Sequence, residues 1–306
     1  MANIIADKFI WTTLVMLGDE YACGAVTLCR SLRDVKTKYP IYCMVTSDVS
    51  DDCREFLEKH FDKVVKVPLI EYKCIPMKSK KQNDIYGSWI HASFTKCNIL
   101  NPDVFMDVQK VCLLDADSIV LENIDDIFEL STPALTFSNP WASTYLKKNT
   151  RYSLYNPYGE MKHGQIVPHK AIIRGFNNSF LGLASMVLVS PNRYTWETFD
   201  KILRSKPSYG NKFCTSGFDE QILAETFLAS GKNIYHIHQQ YNWMIGKTNW
   251  LLNGEKPKLM QWYNGKPWRE DPEKEGQYND VISWWQISWK IIEEDPDDAY
   301  WYYQIQ

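Results

Sequence analysis

The first 120 residues alternate short apolar runs with amphipathic stretches, and this alternation constrains the fold more than any other feature of the sequence. The apolar runs are typical of buried strands, and the stretches between them have the residue spacing of helices. Such alternation predicts βαβ units in an α/β fold with a doubly wound, mostly parallel sheet, which binds ligands at the carboxyl ends of its strands. The predicted strands are 9–17, 41–45, 64–67 and 110–114, and the predicted helices between them are 19–33, 51–60 (directly after Ser50) and 89–100.

The periodicity weakens between residues 136 and 174, where Asn, Pro, Tyr, Lys and Gly dominate. We predict an irregular excursion there, of a length that commonly carries function. Regular patterns then return, without an internal repeat or a linker-like segment. We therefore predict a single domain over residues 1–306. The later predicted elements are a strand at 184–189, a helix from residue 194, a helix at 219–229 and a Trp-rich C-terminal helical section around 283–292.

Composition and charge exclude several classes of protein. Of the 306 residues, 45% are apolar and 23% are charged, which is enough apolar material for a sizeable core. The net charge of −3 gives no general attraction to nucleic acid or to anionic lipid. The apolar run at 9–17 is too short to span a bilayer and lacks the layout of a cleaved signal. We expect a soluble, cytoplasmic protein with no nucleic-acid partner and no membrane span.

The distribution of the cysteines and the tryptophans indicates roles in core packing more than in metal or ligand binding. The eight cysteines are dispersed, without CxxC spacing or a cluster with histidine, so we expect buried thiols in a reducing compartment and no zinc site. Eight of the twelve tryptophans lie between Trp243 and Trp301. Two interpretations are open for them: packing of a helical section, or flat platforms for a nucleobase or a sugar ring.

Two aspartates, Asp115 and Asp117, follow directly on the predicted strand at 110–114. In extended backbone, residues i and i+2 face the same side, so both carboxylates can bind one divalent cation, which can in turn hold phosphate oxygens. Two carboxylates this close also require a cation or a proton between them. A calcium EF-hand loop is excluded, because Ile119 and Val120 occupy the positions that need an oxygen ligand and a glycine.

A phosphatase of the haloacid dehalogenase type is a rival interpretation of the same pair. That class also places DxD after a buried strand and uses the first aspartate as nucleophile. It usually places the motif on its first strand, with Thr or Val at the position of Ile119. Here the motif follows about the fourth strand, so the phosphatase remains only an alternative.

Several segments in order resemble the glycogenin-like glycosyltransferases of family 8. The most specific is LDADSIVLENIDDIF at 114–128, which is close to the DAD-containing signature of that family. The resemblance implies a GT-A fold, with a Rossmann-like sheet, flanking helices and a nucleotide-sugar cleft. It also implies retaining transfer of a hexose, glucose or galactose, from a UDP-sugar to a glycan or other hydroxyl acceptor, with Mn²⁺ or alternatively Mg²⁺ as cofactor, and it leaves a homodimer open. The weaker supporting segments are 12–25, 184–191, 219–223, 241–242, 265–268 and 284–285.

The resemblance also implies roles for individual residues. In the nucleotide-sugar site, Asp115 and Asp117 bind the metal, and the Ala116 backbone lies beside the ribose. Lys266 neutralises the diphosphate leaving group and has a catalytic role together with Asp219 and Glu220. One of these two carboxylates orients or deprotonates the acceptor hydroxyl; Glu220 aligns better with the family's aspartate before Gln, and a shift by one residue to Asp219 stays open. The remaining implied nucleotide-sugar contacts are Val15, Met16 and Leu17 at the uridine, Tyr21 stacked on the uracil, Lys96 near the donor phosphates or sugar, and Gly265 beside Lys266.

The chain departs from the family pattern at two places. The third metal ligand of the family is a histidine, and Met260 or Gln261 stands at that position. A thioether is too soft for Mn²⁺, whereas an amide carbonyl is a suitable but neutral ligand, so Gln261 is the predicted third ligand. An expected sugar-contacting asparagine before the strand at 184–189 is also missing, and Asn177 and Asn178 are the nearest substitutes.

These departures keep a binding protein open, in which the nucleotide-sugar pocket is retained without turnover. Structural interpretations also compete at three single residues. Tyr21 is explained equally well by packing at a helix start, Lys96 by a surface lysine whose stem covers apolar surface, and Lys266 by a loop position. His236 and His238 alternate in a predicted strand, where a structural role is favoured.

Overall fold

A computed structural model describes residues 8–137, 161–178, 183–214, 216–244, 256–262, 265–274 and 277–303. The chain folds into two compact units, each built from several segments. The DAD unit contains Asp115 and Asp117 and comprises Trp11–Lys66, Leu114–Asp126 and Gln240–Gln306. The α6 unit, named after its helix at 218–229, comprises Met1–Ile10, Val67–Leu113 and Ile127–Gln239. The single-domain assignment stays a prediction.

The predicted alternation of strands and helices is confirmed. The strands are β1 (Phe9–Val15), β2 (Ile41–Val45), β3 (Lys63–Lys66), β4 (Lys110–Leu114), β5 (Ser118–Val120), β6 (Ala134–Thr136), β7 (Leu183–Val189), β8 (Tyr235–His236), β9 (Trp243–Met244) and β10 (Leu259–Gln261). The α-helices are α1 (Ala22–Asp34), α2 (Asp51–His60), α3 (Lys80–Tyr86), α4 (His169–Asn178), α5 (Arg193–Arg204), α6 (Phe218–Ala229), α7 (Asn279–Glu294) and α8 (Ala299–Tyr303), and a 3₁₀ helix spans Ile90–Leu100.

The main sheet has seven strands in the order β3-β2-β1-β4-β7-β6-β8. Strand β1 pairs in parallel with β2, which pairs in parallel with β3. Strand β6 pairs in parallel with β8, whereas β6 and β7 are antiparallel. Strand β7 is buried along its whole length, as a continuous apolar run predicts for a sheet covered on both faces. This mixed, mostly parallel sheet is the predicted α/β architecture.

A second sheet, absent from the sequence-based prediction, lies within the DAD unit. It has three strands in the order β5-β10-β9. Strand β10 runs antiparallel to β5, with Gln261 opposite Ser118, and parallel to β9. Because Ser118 directly follows Asp117, this register carries Gln261 to the DAD segment.

Local sequence signals explain where α2 begins. The Ser50 side chain caps this helix by accepting a hydrogen bond from the Cys53 N–H at 3.1 Å. Asp51 and Asp52 occupy the first turn, where the helix dipole favours negative charge. The predicted start of this helix is therefore confirmed.

Two predicted boundaries are wrong, and one predicted helix has a 3₁₀ geometry. Strand β1 ends at Val15, because Leu17 and Gly18 adopt positive φ angles of 61° and 94° that extended backbone does not allow. The helix predicted at 89–100 is confirmed over Ile90–Leu100 as a 3₁₀ helix, in which the side chains of Ser93 and Asn98 donate to carbonyl oxygens three residues earlier. The excursion expected at 136–174 is shorter at both ends, since Thr136 belongs to β6 and residues from His169 onward are in α4; residues 138–160 lie outside the described part of the chain.

Packing explains the cysteines and the core tryptophans. All eight cysteines are free, and all but the half-buried Cys74 are buried. Trp268, Trp284 and Trp285 are completely buried and contact one another, with ring centroids 5.3 to 5.7 Å apart along the series. The packing interpretation therefore holds for these three. In the part of the chain that the structure describes, none of the helices has both the length and the hydrophobicity needed to cross a membrane.

Candidate active site

The DAD segment lies where β4 of the main sheet ends and β5 of the second sheet begins. Strand β4 is buried at Val111–Leu114, Asp115 directly after it is half-buried, and residues 116–120 are buried again. Asp117 is 6% exposed, and its carbonyl oxygen accepts the Trp262 N–H at 2.9 Å. The pair is thus at the carboxyl end of a buried strand, as predicted.

Lys266 supplies the positive charge of this site. Its ammonium group donates to the Asp117 Oδ2 atom and, at 2.7 Å, to the Trp262 carbonyl oxygen. Burial disfavours the charged ammonium, but Asp117, with smaller contributions from Tyr21 and Asp115, outweighs it, and the pKa of Lys266 lies above its ordinary value. Lys266 does occupy a loop position, but it is only 9% exposed, so its ammonium group lies inside the site.

Gln261 adds a side-chain amide to the two carboxylates of the site. Its Nε2 atom donates to Asp115 Oδ2 at 3.3 Å, whereas its own Oε1 atom is buried without a hydrogen-bond partner. The Oδ1 atom of Asp117 is also buried without a partner. Unpartnered buried oxygens are costly and call for an explanation.

A hard divalent cation fits this set of donors. Carboxylate and amide oxygens are the ligands that Mg²⁺ prefers and that Mn²⁺ accepts, and a cation would satisfy both unpartnered oxygens. Within the described residues, no group of three or more His, Cys, Asp and Glu could hold a metal ion, so a third protein ligand beside the two aspartates would be of another type, and Gln261 already contacts Asp115. Met260 is buried, and Gln261 is the residue that contacts Asp115.

Close packing against α1 fixes the backbone of Ala116. A Cβ atom added at Gly24 would lie 2.7 Å from the Ala116 carbonyl oxygen and 2.7 Å from the Trp268 ring. Only glycine therefore allows α1 to approach this closely. The Trp268 ring also packs edge-on against Tyr21, at 5.2 Å between centroids.

Tyr21 stands at the start of α1, where its ring lies 5.7 Å from the Lys266 ammonium. Burial, partly offset by Lys266, raises the pKa of the Tyr21 phenol. The tyrosine thus both packs at a helix start and borders the charged site. Its stacking on a base stays a prediction.

The predicted uridine loop has a specific backbone shape. The side chain of Val15 is completely buried, so this residue can offer a ligand only its backbone. Met16 is half-buried and Leu17 is 45% exposed. The Gly18 N–H donates to Asp48 Oδ2 at 2.9 Å, which holds the left-handed turn at Leu17 and Gly18. Sequence reasoning missed Asp48 because its partner is 30 residues away.

A second charged pair lies in the α6 unit. The Lys96 ammonium is 3.2 Å from Asp219 Oδ2, and the two side chains are only 15% and 11% exposed. Lys96 is therefore not a surface lysine whose stem merely covers apolar surface. It places a buried positive charge on the first turn of α6.

Glu220 performs a structural task at the same helix start. Its Oε2 atom accepts the Gly217 N–H at 2.7 Å, and its Oε1 atom accepts the Ala184 N–H at 3.4 Å. Burial and the adjacent Asp219 raise the pKa of Glu220 to about 8, although Lys96 and both N–H groups oppose the shift. Glu220 thus caps the helix from which Asp219 extends to Lys96.

The remaining predicted residues are less informative. Gly265 is exposed, and an added Cβ would meet Glu270 only at 3.8 Å, so no steric need for glycine is evident there. Asn177 is exposed on α4, and the side chain of Asn178 lies outside the description. The roles of all site residues remain predictions from the sequence.

Comparison with solved structures identifies the fold. The galactosyltransferase LgtC, solved in complex with donor and acceptor sugar analogs, matches with a TM-score of 0.50 at 10% sequence identity, covering 92% of this chain and 95% of that one. At this identity the likeness concerns the fold, and it confirms the GT-A architecture. Fold and sequence together define a glycosyltransferase of the family 8, glycogenin-like kind.

Comparison with sequences gives the family. The chain belongs to the family described as "Mannosyltransferase putative", whose profile matches residues 13–182, more than half of the chain. Galactinol synthase 7 of Arabidopsis thaliana is 26% identical over 293 residues, which cover 90% of this chain and 80% of that protein. Glycogenin-1 of Oryctolagus cuniculus is 27% identical over 233 residues, which cover 74% of this chain and 62% of that protein. An uncharacterised protein of Acanthamoeba polyphaga mimivirus is 28% identical over 200 residues, which cover 64% of this chain and 59% of that protein. The chain therefore spans less than two thirds of the length of the glycogenin and of the mimivirus protein.

Proposed function

We propose that the chain is a retaining, metal-dependent glycosyltransferase that moves a hexose, glucose or galactose, from a UDP-sugar to a glycan or another hydroxyl acceptor. The observation that carries the proposal is the pair of buried oxygens without partners, Asp117 Oδ1 and Gln261 Oε1, beside the Asp115 carboxylate. An anionic diphosphate would be repelled by two carboxylates unless a divalent cation lay between them.

Asp115, Asp117 and Gln261 would hold that cation. When bound, it would supply positive charge to the departing diphosphate, which is the charge that most needs stabilising during sugar transfer. Lys266 would add a second positive charge from the protein itself. The Gly24 contact keeps the Ala116 backbone in place beside the proposed ribose position.

In the α6 unit we assign Asp219 rather than Glu220 to the reacting sugar or acceptor. Both carboxylate oxygens of Glu220 already accept backbone N–H groups, whereas Asp219 is held by the flexible side chain of Lys96. Asp219 can therefore orient or deprotonate an acceptor hydroxyl while Lys96 balances its charge. Glu220 is a positioning residue in this scheme.

A catalytically degenerate nucleotide-sugar-binding protein is the second candidate. The replacement of an imidazole ligand by the neutral amide of Gln261 favours it. The two candidates differ in turnover, because a degenerate protein would bind UDP with Mn²⁺ but would release no UDP from a UDP-sugar.

The decisive test is a screen for UDP release from UDP-glucose, UDP-galactose and UDP-xylose with Mn²⁺ or Mg²⁺, with GDP-mannose included because of the family description. We expect metal-dependent release from a UDP-hexose, lowered by at least about a hundredfold in Asp115→Ala. The matched control is Asp200→Asn, an aspartate on α5 that pairs only locally with Arg204, which should retain full activity. Undiminished release by Asp115→Ala would defeat the metal assignment, and binding without release from any donor would favour the degenerate protein.

A further inference from the structure

The position of Lys266 in the DAD unit is defined by a buried neighbour in the chain and by two hydrogen bonds. It directly precedes a short 3₁₀ helix, Pro267–Arg269, in which Trp268 is completely buried. Its ammonium group has two defined acceptors, Asp117 Oδ2 and the Trp262 carbonyl oxygen. The charge therefore has a fixed position next to the Asp117 carboxylate.

The two oxygens of the Asp117 carboxylate have different surroundings. One oxygen accepts from Lys266, and the other, Oδ1, is buried without a partner, as is the Oε1 atom of Gln261. A divalent cation bound to Oδ1 would share this carboxylate with the ammonium group. Two like charges on one buried carboxylate repel strongly, because little water is present to screen them.

We infer that Lys266 is an internal counter-ion of Asp117, which weakens binding of a divalent cation alone and makes the cation and a nucleoside diphosphate bind cooperatively. The diphosphate is the reason for the cooperativity. Its negative charge offers both Lys266 and the cation an additional partner, so their mutual repulsion is offset only when it is bound. Coupling of this kind is reciprocal, so each ligand must raise the affinity for the other by the same factor. The inference rests on the proposed function, and it adds that the cation binds more tightly together with the diphosphate than alone.

The test uses isothermal titration calorimetry on the full chain with Mn²⁺ alone, UDP alone and Mn²⁺ in saturating UDP. We expect Lys266→Met to bind Mn²⁺ alone about tenfold more tightly than the wild type, because the competing charge is gone. The same variant should bind UDP alone more weakly, and UDP should enhance its Mn²⁺ affinity by a smaller factor. Lys266→Arg, which keeps the charge, should stay closer to the wild type in all three titrations.

Lys258→Met is the matched control. Lys258 is also a partly buried lysine of the DAD unit, but it bonds to the Tyr241 hydroxyl at 2.9 Å and lies 3.6 Å from Asp126, away from the proposed ligands. Its removal should leave all three affinities unchanged. If the methionine variant does not fold, as judged by circular dichroism, Lys266→Gln takes its place in the same comparison.

Two results would overturn the inference alone: unchanged or weaker Mn²⁺ binding by the neutral variant, or an unchanged enhancement by UDP, in each case with a wild type that binds both ligands. A wild type that binds neither Mn²⁺ nor UDP would instead remove the proposed function together with the inference. The two failures are therefore distinguishable from the wild-type titrations.

Discussion

At the scale of single residues, Gln261 determines the chemistry of the proposed cation site. Where the family resemblance implies an imidazole nitrogen, Gln261 offers an amide oxygen, so the proposed donors are all oxygen atoms. Its Nε2 atom holds Asp115 at 3.3 Å, so the same side chain orients one ligand and offers another. Such an arrangement favours hard cations and reduces the advantage that Mn²⁺ gains from nitrogen ligands.

We predict that Gln261→His raises the preference for Mn²⁺ over Mg²⁺ by about tenfold, because imidazole binds Mn²⁺ better than it binds Mg²⁺. Calorimetric titration of each cation in the presence of UDP measures the ratio of the two affinities. Gln286→His, on the exposed face of α7, is the control and should leave the ratio as it is. A ratio that is unchanged or lower in Gln261→His would show that residue 261 is not a ligand.

The sequence predicted the aspartate pair from its position after an apolar run, since strand periodicity and chain order alone carry that signal. The tasks of Glu220 were not predictable in the same way. Its bond to the Gly217 N–H is a local capping pattern, but its bond to the Ala184 N–H depends on a contact 36 residues away. Sequence reasoning could therefore name the two acidic residues without distinguishing their roles.

At the scale of elements, the packing of α1 against the DAD segment sets the shape of the site. The contact runs through Gly24, which faces the Ala116 carbonyl oxygen and the Trp268 ring. Helix α1 also contacts β5, where the Ser31 hydroxyl accepts a hydrogen bond from the Val120 N–H at 2.9 Å. The helix therefore holds both ends of the segment that carries Asp117.

We predict that Gly24→Ala lowers the free energy of unfolding by about 2 kcal/mol, since the new methyl group would overlap a backbone carbonyl and a buried ring. It should also weaken Mn²⁺ binding in the presence of UDP, because Ala116 must move. Urea unfolding and calorimetry measure the two effects. Gly265→Ala is the control for stability, as its added Cβ would meet nothing closer than 3.8 Å. Equal stability of the two variants would contradict the close packing at Gly24.

The long elements were predictable, and the short ones were not. Strands β2 and β4 have the predicted residue ranges, because β2 is a continuous apolar run of five residues and β4 has four apolar residues in a row after Lys110. Strands β9 and β10 have two and three residues, too few to show a period. The second sheet, which brings Gln261 to Ser118, was for this reason invisible in the sequence.

At the scale of the whole molecule, the buried His236 of the α6 unit links stability to pH. His236 is buried on β8, where its Nδ1 atom accepts the Phe137 N–H at 3.2 Å. Burial, together with the nearby His238 and His163, lowers the pKa of His236 from 6.5 to about 3. The structural role that sequence reasoning favoured for His236 agrees with this neutral, hydrogen-bonded imidazole.

We predict that the protein loses stability as the pH falls below 6.5, because the unfolded chain then gains a proton that folded His236 resists until about pH 3. This residue alone accounts for up to about 2 kcal/mol between about pH 6.5 and 5. Urea unfolding at about pH 7 and 5 should therefore show a smaller difference for His236→Asn than for the wild type, although the variant is less stable at the higher pH. His169→Asn, which alters an exposed histidine on α4, should keep the wild-type difference. An undiminished difference in His236→Asn would assign the acid sensitivity to other groups.

The most direct test of the cation site is anomalous diffraction from crystals grown with Mn²⁺ and UDP. We predict a manganese peak within about 2 to 2.6 Å of an Asp115 oxygen, of Asp117 Oδ1 and of Gln261 Oε1, with the diphosphate bound to the same ion. Density for UDP without a manganese peak at these oxygens, or a peak located elsewhere, would contradict it.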